Sequence, residues 1–308
     1  MRVYIAGSGA MGSCFGYKLM KTGDPVVFLD HWAEQIDSLN NGGLRFGRED
    51  SADVHHVHAN RPEEARGEVD LIILFCKSMQ LEETLAGITG ILGARTQVLC
   101  LLNGLGHVDT LKKYVAERNI FIGVTTLSAS LPEAGRVCCH SLGKTEIQSI
   151  SGDMIRCGNI VAELNYAGIP THASDDVFKA IWKKACINGT TNAFCTLFDC
   201  NIHGLSKVPG IEALVEAVVR EFAALAQAQG TKLWPKKISN EILDLYQKSS
   251  AVGEHYPSMH QDLRQKRRPT EIDFLNGYVA RKSAELGLEA PHCQMITEAI
   301  HGLEALYL

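Results

Sequence analysis

The chain has 308 residues, 45% of them hydrophobic and 21% charged, with a formal net charge of -5, which describes an ordinary globular protein long enough for two domains. An acidic chain offers no basic field to nucleic acid or an anionic membrane surface, and no apolar run approaches the roughly 20 residues that span a bilayer, so small-molecule chemistry is favoured. The ten cysteines are scattered, with only Cys138 and Cys139 adjacent and no CxxC pair, so neither a disulfide framework nor a metal site is expected; reduced thiols, and a start that runs from Met1-Arg2 straight into Val3-Tyr4-Ile5-Ala6, lead to the expectation of a cytoplasmic protein.

The first half alternates short apolar runs with amphipathic segments. Residues 3–6, 26–29, 71–75, 98–102 and 120–124 read as buried strands, the sequence form of a parallel, doubly wound α/β sheet. Gly7-Ser8-Gly9-Ala10-Met11-Gly12 follows the first of these strands and opens a helical pattern, the context a GxGxxG fingerprint requires. Gly7 permits the tight turn, Gly9 lets a pyrophosphate approach the backbone, and Gly12 allows helix to pack on strand. The anion would rest on the helix N-terminus, where free amides and the dipole both favour negative charge.

Asp30 ends the second strand, close to the spacing at which an acidic residue binds the adenosine ribose. A carboxylate there accepts from both ribose hydroxyls and repels a 2′-phosphate, and His31 and Trp32 offer no guanidinium to such a phosphate, which favours NAD over NADP. Its other reading is a cap for the helix starting near Trp32. Lys77, in Cys76-Lys77-Ser78, and Asn103, in Leu102-Asn103-Gly104, stand at the carboxyl ends of parallel strands, where open α/β sheets bind ligands. Each is a candidate contact to cofactor or substrate, or else a solvated lysine and an Asn-Gly turn.

Residues 136–149 alternate and carry β-branched side chains around Gly143, which predicts an antiparallel hairpin closing the sheet. From about Asp175 the strands stop. Leu214, Val218 and Leu225, then Ile242 and Leu245, then Ile272, Leu275 and Val279, then Ile296, Ile300 and Leu303 are apolar at helical spacing, punctuated by Gly204, Pro209, Gly230, Gly253, Gly287 and Pro291. The expected division is a dinucleotide-binding Rossmann-like domain over residues 1–175 and an all-α domain over residues 176–308, packed directly with a cleft between them.

Within the helical half, Lys184, Asn188 and Asn192 recur at four-residue intervals, stacking one ammonium and two carboxamides on a single helical face. Such a stripe either faces water or meets a polar ligand, because unpaired polar groups are costly to bury. A second distinctive region is Pro257-Ser258-Met259-His260-Gln261-Asp262-Leu263 followed by Arg268-Pro269-Thr270-Glu271-Ile272-Asp273. Thr270 and Asp273 read as a capping box that starts a helix over residues 271–286, with Glu271 in its first turn. The run Arg264-Gln265-Lys266-Arg267-Arg268 reads as a solvated helix end or loop.

Taken in order and spacing, the glycine fingerprint, Lys77, Asn103-Gly104, Lys184-x3-Asn188-x3-Asn192, Ser258-Met259 and Thr270-Glu271-Ile272-Asp273-Phe274-Leu275-Asn276-Gly277 resemble the ketopantoate reductase family, the 2-dehydropantoate 2-reductases, over essentially the whole chain. The resemblance implies an oxidoreductase of pantothenate biosynthesis that uses NADP or NAD to reduce a small 2-oxo acid to a D-2-hydroxy acid. By it, Lys184 is the general acid that protonates the keto oxygen, and Glu271 holds the lysine–substrate network and borders the cofactor. Asn188 and Asn192 bind the substrate's polar groups, Ser258 its carboxylate, and Asn201 is a further substrate asparagine. Asn103 and the backbone near Ala129 line the nicotinamide site; Lys77 lies near the cofactor ribose and phosphates, and Gly7, Ser8, Gly9, Ala10, Met11, Gly12, Asp30 and His31 complete the cofactor side.

Two departures stand out. Many family members carry an arginine serving NADP where this chain has His31, and between Ser258 and Glu271 this chain is one residue longer than the common pattern. Both are changes that a branch resembling NAD-dependent D-mandelate dehydrogenases would show. A D-2-hydroxyacid dehydrogenase of that kind is therefore the enzymatic alternative, and a non-catalytic dinucleotide sensor the alternative of another class. The oligomeric state is left open, a homodimer being one expectation.

Overall fold

The computed structural model describes residues 1–47, 53–249 and 256–308; Gly253, one of the expected helix breaks, lies outside them. Two compact units are present, one made of Met1–Leu102 and His107–Val177, the other of Asn103–Gly106 and Phe178–Leu308.

The first unit is an α/β fold. Its strands are β1 (Val3–Ala6), β2 (Val26–Leu29), β3 (Leu44–Phe46), β4 (Asp53–His55), β5 (His58–Asn60), β6 (Leu71–Leu74), β7 (Gln97–Cys100), β8 (Ile120–Thr125), β9 (Ser128–Glu133), β10 (Arg136–Ser141), β11 (Thr145–Ser149) and β12 (Thr171–Ala173). The main sheet has the order β12-β11-β8-β7-β6-β1-β2-β5. From β5 to β8 all neighbours are parallel, whereas β11 lies antiparallel to β8 and carries β12 beside it. Every residue of β1 and β6 is buried, which is why these strands read as uninterrupted apolar runs rather than as alternating ones. β1 has β2 on one side and β6 on the other, so strand order reverses here, and the crevice outside the strand ends at such a point is where open parallel sheets bind ligands.

Helices α1 (Ala10–Met20), α2 (Ala33–Gly42), α3 (Leu81–Gly87), α4 (His107–Lys112) and α5 (Met154–Tyr166) belong to the same unit. Phe15 and Leu19 from α1 meet Phe28, Ile73 and Phe121 from the sheet in a core without solvent access. Each such side chain stabilises the fold by roughly 1.5–3 kcal/mol relative to exposure.

The stretch 136–149 is not one hairpin. β10 pairs antiparallel with β9 and parallel with β3 in a separate sheet of order β4-β3-β10-β9, while β11 joins the main sheet through β8. Gly143 makes the passage between them, at φ +52° and so close to Thr126 that a Cβ would lie 2.4 Å from its carbonyl carbon. Alternation reveals that both segments are strands; it carries no information about which strand each one pairs with.

The second unit is helical: α6 (Val177–Leu197), α7 (Ile211–Ala228), α8 (Pro235–Lys248), the short α9 (Ser258–His260), α10 (Asn276–Glu285) and α11 (Pro291–Tyr307). Trp182, Phe222, Tyr246, Ile272 and Ile300 share its core. Glu221, buried on α7, accepts from the His292 and Cys293 amides at 2.9 and 2.8 Å, closing the start of α11 with a carboxylate where the helix dipole favours one. Among the described residues, no helix is long and apolar enough to cross a membrane.

Thr270 and Asp273 do not form the expected capping box, and the helix does not start at Glu271. The Thr270 amide donates to Glu304 at 2.7 Å, and Asp273 is drawn to Arg281 and His301, at 3.4 and 3.2 Å. Thr270 Oγ1 accepts from the Ile272 amide at 3.3 Å instead. Ile272–Phe274 is a 3₁₀ turn, and the α-helix begins only at Asn276.

Candidate active site

The glycine loop leaves β1 where the sheet order reverses. Gly7 has φ +102°, a region that favours glycine, and a Cβ on it would fall 2.2 Å from the Cys76 nitrogen. At Gly12 a Cβ would stand 1.9 Å from the Gly7 carbonyl oxygen, whereas at Gly9 it would meet nothing within 4 Å. The loop is thus closed against the protein at Gly7 and Gly12 and open at Gly9, the shape a pyrophosphate needs. No side chain caps α1, whose first turn holds Ala10, Met11 and Gly12, so its amides and dipole form a seat for an anion.

Asp30 is tied to this loop. Its Oδ2 accepts from the Ser8 amide at 2.6 Å and the Ser8 hydroxyl at 2.7 Å, and its Oδ1 accepts from the Trp32 amide at 3.0 Å. These bonds use three of the roughly four lone-pair sites of a carboxylate, leaving Oδ1 capacity for an outside donor such as a ribose hydroxyl. Asp30 does not cap α2, which has no side-chain cap; its bond to the Trp32 amide forms a turn two residues on, and Oδ1 can accept from a ribose hydroxyl at the same time. His31 has Nε2 3.0 Å from Thr84 Oγ1 and Nδ1 3.8 Å from the Glu83 carboxylate, both on α3. Lys77 starts a 3₁₀ turn after β6, its amide donating to Gln80 Oε1 at 3.3 Å. Ala129 lies on β9, opposite Cys139, and packs against the core of the first unit. Donors, an open glycine and an acid fit a dinucleotide.

In the helical unit, a narrow pocket is lined by Asn103, Asn188, Asn192, Ser258, Met259, Asp262, Glu271 and Leu275. The four-residue spacing places Asn188 and Asn192 on one face of α6, and Asn192 Nδ2 lies 3.4 Å from Ser258 Oγ at the start of α9. Asn103 belongs to the same unit because Gly104, at φ +98°, lets the chain press against Phe274: a Cβ there would lie 2.8 Å from the Phe274 carbonyl oxygen, and the Leu105 amide donates to that oxygen at 2.8 Å. Burial pushes the Lys184 ammonium down from 10.5 to about 8, and the charge of Glu271 opposes the shift. Lys184 is not itself among the residues lining the pocket, but Glu271, whose charge acts on it, is; a desolvated ammonium near a carboxylate is chemically suited to giving a proton to an oxygen that gains negative charge.

Not every candidate joins this set. Asn201 lies outside the pocket lining, its carboxamide oxygen accepting from the Gly204 amide at 2.8 Å. Met259, Asp262 and Leu275 also line the pocket, from the two distinctive segments around Ser258 and Glu271, although nothing in the sequence gives any of them an individual role at the site. The one available signal for Asp262 was its position four residues after Ser258, which puts both on one face of a helical segment.

The family model "Ketopantoate reductase PanE/ApbA" matches residues 3–152, and the model "Ketopantoate reductase PanE/ApbA C terminal" matches residues 176–304. The chain is similar to a 2-dehydropantoate 2-reductase of Streptococcus pyogenes, with 43% identity over 307 residues covering 99% of each chain. It is also similar to that of Lactococcus lactis, with 38% identity over 309 residues and the same 99% coverage of both. Among solved structures it resembles a ternary complex of D-mandelate dehydrogenase with NADH and anilino(oxo)acetate, with a TM-score of 0.95 and 36% identity over 100% of this chain and 99% of that one.

Proposed function

Since the chain belongs to the ketopantoate reductase family, we propose that it reduces ketopantoate to pantoate with a nicotinamide cofactor, a step of pantothenate biosynthesis. It is an oxidoreductase acting between a 2-oxo acid and the corresponding hydroxy acid. The observation that carries this reading is the desolvated Lys184 near Glu271, in a unit whose pocket gathers Asn103, Asn188, Asn192 and Ser258.

When bound, the reduced nicotinamide supplies hydride to the carbonyl carbon. Lys184 Nζ gives its proton to the keto oxygen as charge builds there, and an amine with a pKa near 8 gives it more readily than one near 10.5. Glu271 opposes the loss of that proton before substrate arrives and holds the ammonium in position. Asn188 and Asn192 donate to the substrate's keto and hydroxyl oxygens, and Ser258 to its carboxylate, the 3.4 Å contact between Asn192 and Ser258 keeping these donors side by side. Asn103 completes the wall.

On the cofactor side, the loop Gly7, Ser8, Gly9 and Gly12 with the free amides of Ala10 and Met11 at the start of α1 would receive the pyrophosphate, the Ser8 amide being held by Asp30, and Asp30 Oδ1 would accept from the ribose. Lys77 and Ala129 keep their places from the family resemblance, beside the ribose and phosphates and beside the nicotinamide. A 2′-phosphate would meet Asp30 and, beside His31, Glu83, two carboxylates with no guanidinium among the neighbouring residues Asp30-His31-Trp32; NAD is therefore the proposed cofactor. The proposed location is the cytoplasm, where ten free thiols stay reduced.

The test is a set of initial rates with ketopantoate and with phenylglyoxylate, each with NADH and NADPH. Ketopantoate with NADH is expected to give the highest kcat/KM. Preference for phenylglyoxylate would replace ketopantoate with an aromatic 2-oxo acid, and preference for NADPH would overturn the role given to Asp30. No turnover of any 2-oxo acid, with NADH still bound, would mark a dinucleotide sensor.

A further inference from the structure

The pocket that holds the asparagines and Ser258 also exposes two carboxylates, Asp262 and Glu271. Glu271 has the ammonium of Lys184 in its field. Asp262 belongs to a different arrangement. Its side chain is only 4% exposed, and Arg268, 47% exposed, brings Nε within 2.7 Å and Nη2 within 2.6 Å of Asp262 Oδ1. The backbone reinforces the pair, the Arg268 amide donating to the Asp262 carbonyl at 3.0 Å.

The local fold explains how residues six apart meet. Residues Gln261–Gln265 form a π-helical turn, with the Lys266 amide bonded to the Gln261 carbonyl at 2.9 Å, and Arg267 then takes φ +51°. A π turn accommodates one more residue than an α turn. The left-handed step at Arg267 then folds the chain back onto Asp262. Arg268 therefore stands on the solvent side of Asp262, exposed like the rest of the basic run from Gln265 to Arg268, while Asp262 itself lines the pocket.

We propose that Arg268 is a specificity-determining residue: it neutralises Asp262 at the pocket wall and so lets the pocket accept an anionic 2-oxo acid in preference to an uncharged 2-oxo compound. The inference rests on the reading of this pocket as the 2-oxo acid site. A carboxylate substrate entering beside a nearly buried carboxylate that has lost its guanidinium meets repulsion that water screens poorly. With the guanidinium on Asp262 Oδ1, the wall presents a paired charge, and Ser258 and the amides receive the substrate's carboxylate without that opposition.

The experiment compares ketopantoate with its uncharged methyl ester in the full-length protein saturated with NADH. In Arg268→Leu, KM for the acid is expected to rise about tenfold, with KM for the ester and kcat for both changing less than about twofold. Adding Asp262→Asn to that variant is expected to bring the acid-to-ester KM ratio back to within about threefold of the wild type. A purely structural role for the pair would raise both KM values together or lower kcat, and would not be relieved by the second substitution; either result overturns the inference. If Arg268→Leu does not fold, Asp262→Asn alone decides. Leaving Arg268 unpaired beside the pocket should lower KM for the acid about threefold relative to the ester, and an unchanged ratio overturns the inference. A wild-type protein with no preference for the acid over the ester overturns the reading of the pocket and this inference with it. A wild type that prefers the acid, and whose Arg268→Leu variant keeps the preference, overturns this inference alone.

Discussion

Lys184 shows how far one residue can be understood from its surroundings. Burial alone drives an ammonium toward the neutral form, and Glu271 restrains it, so the amine titrates near 8. A lysine holds its proton below its pKa. Reduction of the 2-oxo acid, which consumes that proton, is therefore expected to have a kcat/KM that is level below about pH 8 and falls above it, while oxidation of the hydroxy acid rises through the same range. Glu271→Gln removes the charge that raises the lysine's pKa, so the break should move to lower pH and kcat should drop; a pH–rate profile that keeps its break would exclude that role for Glu271. Lys184→Ala is expected to lose kcat on the order of a hundredfold or more. Unchanged turnover would end the proposal that Lys184 is the proton donor.

Among the elements, α6 carries the polar stripe, and its placement depends on small residues and long-range partners. Gly189, next to Asn188, leaves so little room that a Cβ would lie 2.5 Å from Phe222 of α7 and 2.9 Å from Asn276 Oδ1 of α10. The sequence displays the spacing of Lys184, Asn188 and Asn192 openly because the helical period is local. It conceals which helices press on the other face. The same holds for α11, whose start is closed by Glu221 from a distance of about seventy residues in sequence. Glu221→Ala leaves the His292 and Cys293 amides without their charged acceptor and is expected to cost roughly 2 kcal/mol, seen as a lower Tm in thermal unfolding. Turnover at a temperature well below the transition should be preserved, and a loss of turnover larger than the loss of folded protein would contradict this assignment.

At the scale of the whole molecule, the glycine loop predicts a ligand-dependent stability. A dinucleotide that binds the folded state alone raises Tm with its concentration, by about 2.7 kcal/mol of added stability at a hundred times its Kd. NADH is expected to raise Tm more than NADPH at equal concentration, because Asp30 holds Ser8 and still has capacity for a ribose hydroxyl, and Glu83 lies near His31. Differential scanning at matched concentrations measures this; an equal or larger shift with NADPH would contradict the cofactor assignment.

Features that depend on near neighbours are legible along the chain. Apolar runs marked β1, β2 and β6, the glycine fingerprint announced the turn after β1, and the change from runs to helical spacing near Asp175 separated an α/β half from a helical one, since strand burial, turn strain and helical periodicity are properties of a few consecutive residues. Long-range partners are set by the folded chain instead. β10 and β11 went to different sheets, Asn103 joined the helical unit through Gly104 and Phe274, and Glu304 took the Thr270 amide that a capping box would have used. Arg268 turned back onto Asp262 in the same way, through a π turn that no local pattern announced. A hydrogen bond or charge pair between distant residues forms only once the chain has brought them together, so its donor and acceptor are visible in the sequence while their pairing is not.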